Sequence, residues 1–95
     1  MIDIDVIRRK ALDRLDNKNV LYLQHAKMRM VERNIRPKDI KLIIMHGSLY
    51  NIREVESRTR YRFHGWCEDR RDAHVVFELQ NGIMIVTVIE EGLNE

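Results

Sequence analysis

His25, Arg29 and Arg33 recur at i, i+4 and i+8, a spacing that stacks three side chains along one face of an α-helix. A second set, Arg60, Arg62 and His64, alternates as side chains do on one face of a strand. These residue types suit metal-free cleavage of an RNA phosphodiester, in which the ribose 2′-hydroxyl is the nucleophile. The protein must then supply a base that titrates near neutrality, an acid for the leaving oxygen and cations for the pentavalent phosphorus. Histidine serves the first two near pH 7, and the planar arginine fork matches phosphate oxygens. His25 and His64 are the candidate proton handlers, with Arg29, Arg33 and Arg62 as candidate phosphate clamps. Arg60, Trp66 and His74 are candidates for holding substrate, the indole by stacking on an unpaired base. The plain alternative for both sets is a solvated charged face.

Other chemistries find less support. The four histidines, His25, His46, His64 and His74, show no HxxxH or HExxH spacing, and the single cysteine, Cys67, cannot build a thiolate site. Cys67 reads as a small buried hydrophobe, and no Walker-type or GxGxxG loop is present. No metal or cofactor is expected. His46 falls at the end of a helical segment, where a cation meets the negative end of the dipole.

The formal net charge of +2 hides an uneven distribution. Residues 25–71 hold 12 Lys/Arg against 6 Asp/Glu, while residues 72–95 hold 5 acids and no Lys or Arg. A phosphate-bearing partner is drawn to such a cationic middle. The alternative is that the two regions pair with each other in the fold. With 95 residues there is room for one domain, 1–95, and one modest core. A lone cysteine fits a reducing, cytoplasmic setting. The opening MIDIDVIRRK lacks the charge order and apolar run of a signal peptide, and Ile83–Ile89 is far too short to span a bilayer.

The elements that must position these residues follow from periodicity. Ile4, Ile7, Ala11, Leu12 and Leu15 predict a helix over about 4–16, with Asp3 as N-cap, inside an N-terminal segment 1–19. Val20–Gln24 is either a short strand or the first turn of the helix that carries His25 to about Asn34. Ile35 and Ile40 as a staple, Pro37 at N1 and Asp39 at N3 predict a further helix over 38–46. Gly47 suits a left-handed cap at its end. Strands are expected at 48–55, 58–66, 73–79 and 83–89, with Tyr61 and Phe63 opposite in face to Arg60, Arg62 and His64. Asn81-Gly82 predicts a two-residue hairpin turn, which puts Val75, Phe77 and Leu79 in the core with Met84, Val86 and Val88. Apolar on both faces, the last strand is expected to be central. The sum is an α+β fold, N-terminal helices packed on one face of a four-stranded antiparallel sheet.

The run HAKMRMVERNIRPKDIKLIIMHG resembles the signature of a bacterial family of uncharacterised small domains, H-x3-R-M-x2-R-x-I followed by a short helix ending in Gly. FELQNGIMIVTVI resembles the closing hairpin of the same family. The resemblance covers about Leu21 to Ile89, within a family core of 20–95, and its first block is the specific part. It implies a fold similar to the RelE and barnase-like ribonuclease toxins, near the MqsR-type toxins. It further implies a toxin of a toxin–antitoxin pair that cuts messenger RNA, with RNA and an antitoxin protein of acidic or zinc-ribbon type as partners. His25, Arg29 and Arg33 match the polar positions of the motif. Homodimer formation is left open, and the rival reading is a non-catalytic protein- or RNA-binding module of the same fold. A DNA-binding reading is weaker, because Leu42–Met45 is too apolar to read bases.

Overall fold

A computed structural model describes residues 2–92. Three helices, α1 (Ile4–Asp16), α2 (Gln24–Arg33) and α3 (Pro37–His46), and five strands follow in the order α1, β1 (Val20–Tyr22), α2, α3, β2 (Ser48–Val55), β3 (Arg58–Trp66), β4 (Asp72–Leu79), β5 (Ile83–Glu90). The architecture is α+β.

The expected four-stranded antiparallel sheet is corrected to five strands in the order β1-β5-β4-β3-β2, with β1 parallel to β5. Val20–Tyr22 is thus a strand and not a helical turn. Its three residues pair with Ile83, Met84 and Ile85, which gives β5 a neighbour on both sides and explains why both its faces are apolar.

Local chemistry sets the helix ends. Asp3 accepts from Asp5 N and Val6 N at the start of α1. Asp39, almost fully buried, accepts the amide protons of Arg36 and Glu68, both at 2.9 Å, so one carboxylate caps α3 and ties it to the β3–β4 loop. Ile35 and Ile40 are both buried beside it, as a staple requires. Asn34 ends α2 in the left-handed region (φ 51°, ψ 50°).

Gly47 does not. Its φ of −83° is ordinary, and a Cβ there would stand 2.2 Å from the carbonyl oxygen of His64 and 2.4 Å from that of Ile43. The residue is small because α3 and β3 meet at that point. Arg8 reaches across from α1 to donate to Gly47 O at 2.8 Å, with its guanidinium over the Phe63 ring.

The hairpins also trade expectations. The two-residue turn lies between β2 and β3, where Val55 pairs with Arg58 and both Glu56 (φ 51°) and Ser57 (φ 66°) are left-handed. Between β4 and β5 the pairing Leu79↔Ile83 leaves three residues in the loop, which shifts the register by one. Ile83 and Ile85 therefore enter the core in place of Met84 and Val86. An irregularity opposite Val76/Phe77 then restores the expected position of Val88. Gly82 serves closeness rather than turning, since a Cβ there would lie 2.7 Å from Asn19 O. The core joins Phe63, Val75, Phe77, Ile83, Ile85 and Val88 of the sheet to Ile7, Ala11, Ala26, Ile40, Ile43 and Ile44 of the helices. No helix is long and apolar enough to cross a membrane among the described residues.

Candidate functional site

Because Phe63 and Val75 face the helices, their neighbours in sequence face the other way. Among the described residues no helix covers that second face, and it gathers polar and aromatic groups. His64 and His74 are directly opposite on β3 and β4, and their rings stack at 4.6 Å with a 20° tilt. A bulge between Leu49 and Asn51 leaves Tyr50 as an extra residue on β2. Its ring reaches the edge of the His74 ring, 4.7 Å between centroids at 85°. Arg62 lies over the Tyr50 ring at 4.7 Å and donates from Nε to His74 Nδ1 at 3.0 Å.

An arginine Nε can only donate, so His74 Nδ1 accepts and its Nε2 carries the proton, which it shares with Glu91 Oε2 at 2.5 Å. Burial, followed by the nearby charges of Arg62 and His64, holds His74 below the ordinary histidine pKa despite the bond to Glu91. The same bond holds the exposed Glu91 carboxyl below its usual range. His74 is 1% exposed and both its nitrogens are engaged, so it is a fixture that orients Glu91 rather than a proton handler. His64 differs: its side chain is 30% exposed, with Nε2 3.4 Å from Asp72 Oδ1. That nitrogen is itself shielded from solvent and makes no hydrogen bond among the described residues, so the exposed part of the ring is elsewhere.

His64, His74 and Glu91 each present one ligating atom, all within 4.8 Å of one another. A cation there would need a lone pair from His74, whose Nδ1 is taken by a guanidinium. It would also sit beside the permanent charge of Arg62. The arrangement suits an anion better.

Two flanks extend the face. Trp66, 53% exposed, lies beside His64 with ring centroids 5.7 Å apart. On the other side Glu78, 1% exposed, takes Arg60 Nε at 2.7 Å and Arg58 Nε at 3.4 Å, and the exposed Arg53 pairs in register with Arg60. The basic middle and acidic end of the chain do answer each other here, as Arg71–Glu90 at 2.7 Å also shows. The excess of arginines over carboxylates stays on the Arg53–Arg62 side.

The candidates named from sequence thus divide. Arg60, Arg62, His64, Trp66 and His74 share the open face. His25, Arg29 and Arg33 ride on α2, which packs against β5 and sends Ala26 and Met30 into the core on the other side of the sheet. His25 is exposed there, Arg29 pairs with Glu32 at 2.8 Å, and the Arg33 carbonyl accepts from Arg71. The two groups do not converge. Glu91, Asp72, Tyr50 and Arg53 had no sequence signal as site residues. Glu91 follows the last strand, and Tyr50 arrives through the bulge. Cys67 is buried and its thiol is pushed up to about 11, first by burial, so it is no nucleophile at neutral pH.

A three-helix layer on one face of a mixed sheet, with a histidine–arginine–aromatic cluster on the other, defines the class of this small domain. The chain belongs to the family described as a domain of unknown function, DUF4258, whose model matches residues 22–90 and leaves α1 outside. No curated protein and no solved structure matches it.

Proposed function

We propose that the open sheet face binds single-stranded RNA and cleaves it without a metal, in the manner of a RelE- or barnase-like toxin of a toxin–antitoxin pair. The observation that carries this reading is the pairing of a fixed carboxylate, Glu91, with the partly exposed His64, their ligating atoms within 4.8 Å and Arg62 beside them. Glu91 takes the proton of the ribose 2′-hydroxyl as its oxygen attacks phosphorus. The bond from phosphorus to the 5′-oxygen breaks, and protonated His64 gives its proton to that oxygen, leaving a 2′,3′-cyclic phosphate and a free 5′-hydroxyl. Arg62, with Arg60 and Arg53 behind it, meets the charge that builds on the phosphate, and Trp66 supplies a surface for one base. His74 positions Glu91.

The test is incubation of purified protein with naked RNA in excess chelator. Fragments ending in 2′,3′-cyclic phosphate are expected from the wild type and absent from His64→Ala and Glu91→Gln. Intact RNA at all protein concentrations would overturn the catalytic reading. The engagement of Glu91 by His74 favours one alternative, a non-catalytic RNA-binding face, and retention of RNA without cleavage is its signature.

A further inference from the structure

Asp72 opens β4 and touches both groups assigned to proton transfer. Its backbone carbonyl accepts the amide proton of Glu91 at 2.9 Å, which ties the residue after β5 to the cluster. Its side chain shares the open face, because Asp72 pairs with Trp66 just as His74 pairs with His64. Diagonal neighbours on paired strands lie within reach of each other, and Asp72 Oδ1 stands 3.4 Å from His64 Nε2. The stack on His74 at 4.6 Å and the contact with Trp66 at 5.7 Å set the plane of the His64 ring. Which edge of the ring faces inward is left to Asp72. A lone pair aimed at a carboxylate oxygen away from water is repelled by it, whereas an N–H is attracted. Nε2, closed to solvent and facing that oxygen, therefore carries a proton in the neutral ring as well as in the charged one. The other nitrogen, Nδ1, is not closed off in this way.

We propose that Asp72 is the positioning residue for His64: its carboxylate holds the Nε2 proton and leaves Nδ1 to deliver the transferred one. The proposal deepens the nuclease reading and rests on it. As the bond from phosphorus to the 5′-oxygen breaks, the Nδ1–H bond breaks with it and that proton passes to the oxygen. The ring is left neutral with Nε2–H still against Asp72, which itself neither gains nor loses a proton. A contact of 3.4 Å suits this role, since such bonds are often long in the free protein and tighten around substrate. Each proton handler then has its own support, His74 for Glu91 and Asp72 for His64.

The test pairs spectra with kinetics on the full chain. In ¹⁵N-labelled wild type with a neutral His64 ring, a proton signal on Nε2 is expected to be visible, with Nδ1 unprotonated. Asp72→Ala should abolish that signal through exchange with water and lower kcat for RNA cleavage by about tenfold or more, with KM within about threefold. Asp72→Asn keeps an acceptor oxygen, so it should retain the signal and lie between the two in rate. Both variants keep the backbone carbonyl that anchors Glu91. A proton on Nδ1 in the neutral wild type, an Nε2 signal that persists in Asp72→Ala, or a kcat within about threefold of wild type in that variant would each overturn the proposal. Failure of the wild type to cleave RNA strikes the nuclease reading instead, and the spectra, which need no RNA, still decide whether Asp72 holds the ring.

Discussion

His64 and His74 stack face to face at 4.6 Å across two paired strands, yet His74 is locked by Arg62 and Glu91 while His64 Nε2, 3.4 Å from Asp72 Oδ1, makes no hydrogen bond among the described residues. Two identical side chains in contact are given different tasks by their surroundings. Most of what can be tested on this protein follows from that difference.

Activity should depend on the open face and not on α2. His64→Ala and Glu91→Gln are each expected to lower RNA cleavage by about 100-fold or more. Arg29→Ala with Arg33→Ala should leave the rate within about threefold, because the sheet stands between α2 and the site. Time courses on one labelled oligonucleotide decide both. The pH profile should lose its acid limb only below about 4.5, the ordinary glutamate value, since Glu91 is held lower.

Stability should decline on mild acidification through His74. Its folded pKa lies below the ordinary 6.5, so the unfolded chain takes up a proton first as pH drops. The contribution is therefore complete above about 6.5 and is lost as pH falls through the folded value. Tyr50, Arg62, His64 and Glu91 are the groups around the ring, and Glu91 is the one that opposes the shift. Melting temperatures measured from pH 8 to pH 5 should slope downward for the wild type. His74→Gln should flatten that slope whatever it does to the absolute value.

Glu56 and Ser57 hold left-handed dihedrals that suit Asn and Gly far better. Glu56→Asn with Ser57→Gly is expected to stabilise the protein by about 1 kcal/mol, read from chemical denaturation. No change, or a loss, would mean that the β2–β3 turn is not of this type.

Gly47→Ala should cost about 2–3 kcal/mol, because the new methyl meets two backbone carbonyls that have nowhere to go. One of those carbonyls belongs to His64, so the same change should reduce RNA cleavage in the fraction that folds. Gly92→Ala, where a Cβ meets nothing within 4 Å, is the control for bulk alone, with a small backbone penalty from its φ of 87°.

Trp66→Ala is expected to weaken single-stranded RNA binding by about 1–3 kcal/mol while the fold is retained, since the indole is half exposed. Fluorescence anisotropy of a labelled oligonucleotide measures it.

The sequence was read well where period and capping agree. The helices, the Ile35–Pro37–Asp39 entry to α3, and the face of β3 that bears Arg60, Arg62 and His64 all came from local patterns. It misled where one signal serves two purposes. Asn81-Gly82 looks like a tight turn, but Gly82 is small because Asn19 passes beside it, and the true two-residue turn carries Glu-Ser. Val20–Gln24 stayed open between a short strand and a helical turn because three residues are too few to show a period, and the parallel pairing of β1 has no local signal. The site was half legible. One helical stripe and one strand stripe look equally chemical in a string of letters, and only the position of the sheet tells them apart. Tyr50 and Glu91 join the cluster through a bulge and a strand end, features without a local signature.

The pairing of β1 with β5 has a consequence for biosynthesis. Within the domain the first strand finds its neighbour only when the fifth has been made, and Glu91 comes after that strand. Until then the core lacks Ile83, Ile85 and Val88 and the cluster lacks Glu91, so the face proposed to bind RNA is incomplete while the chain is being made.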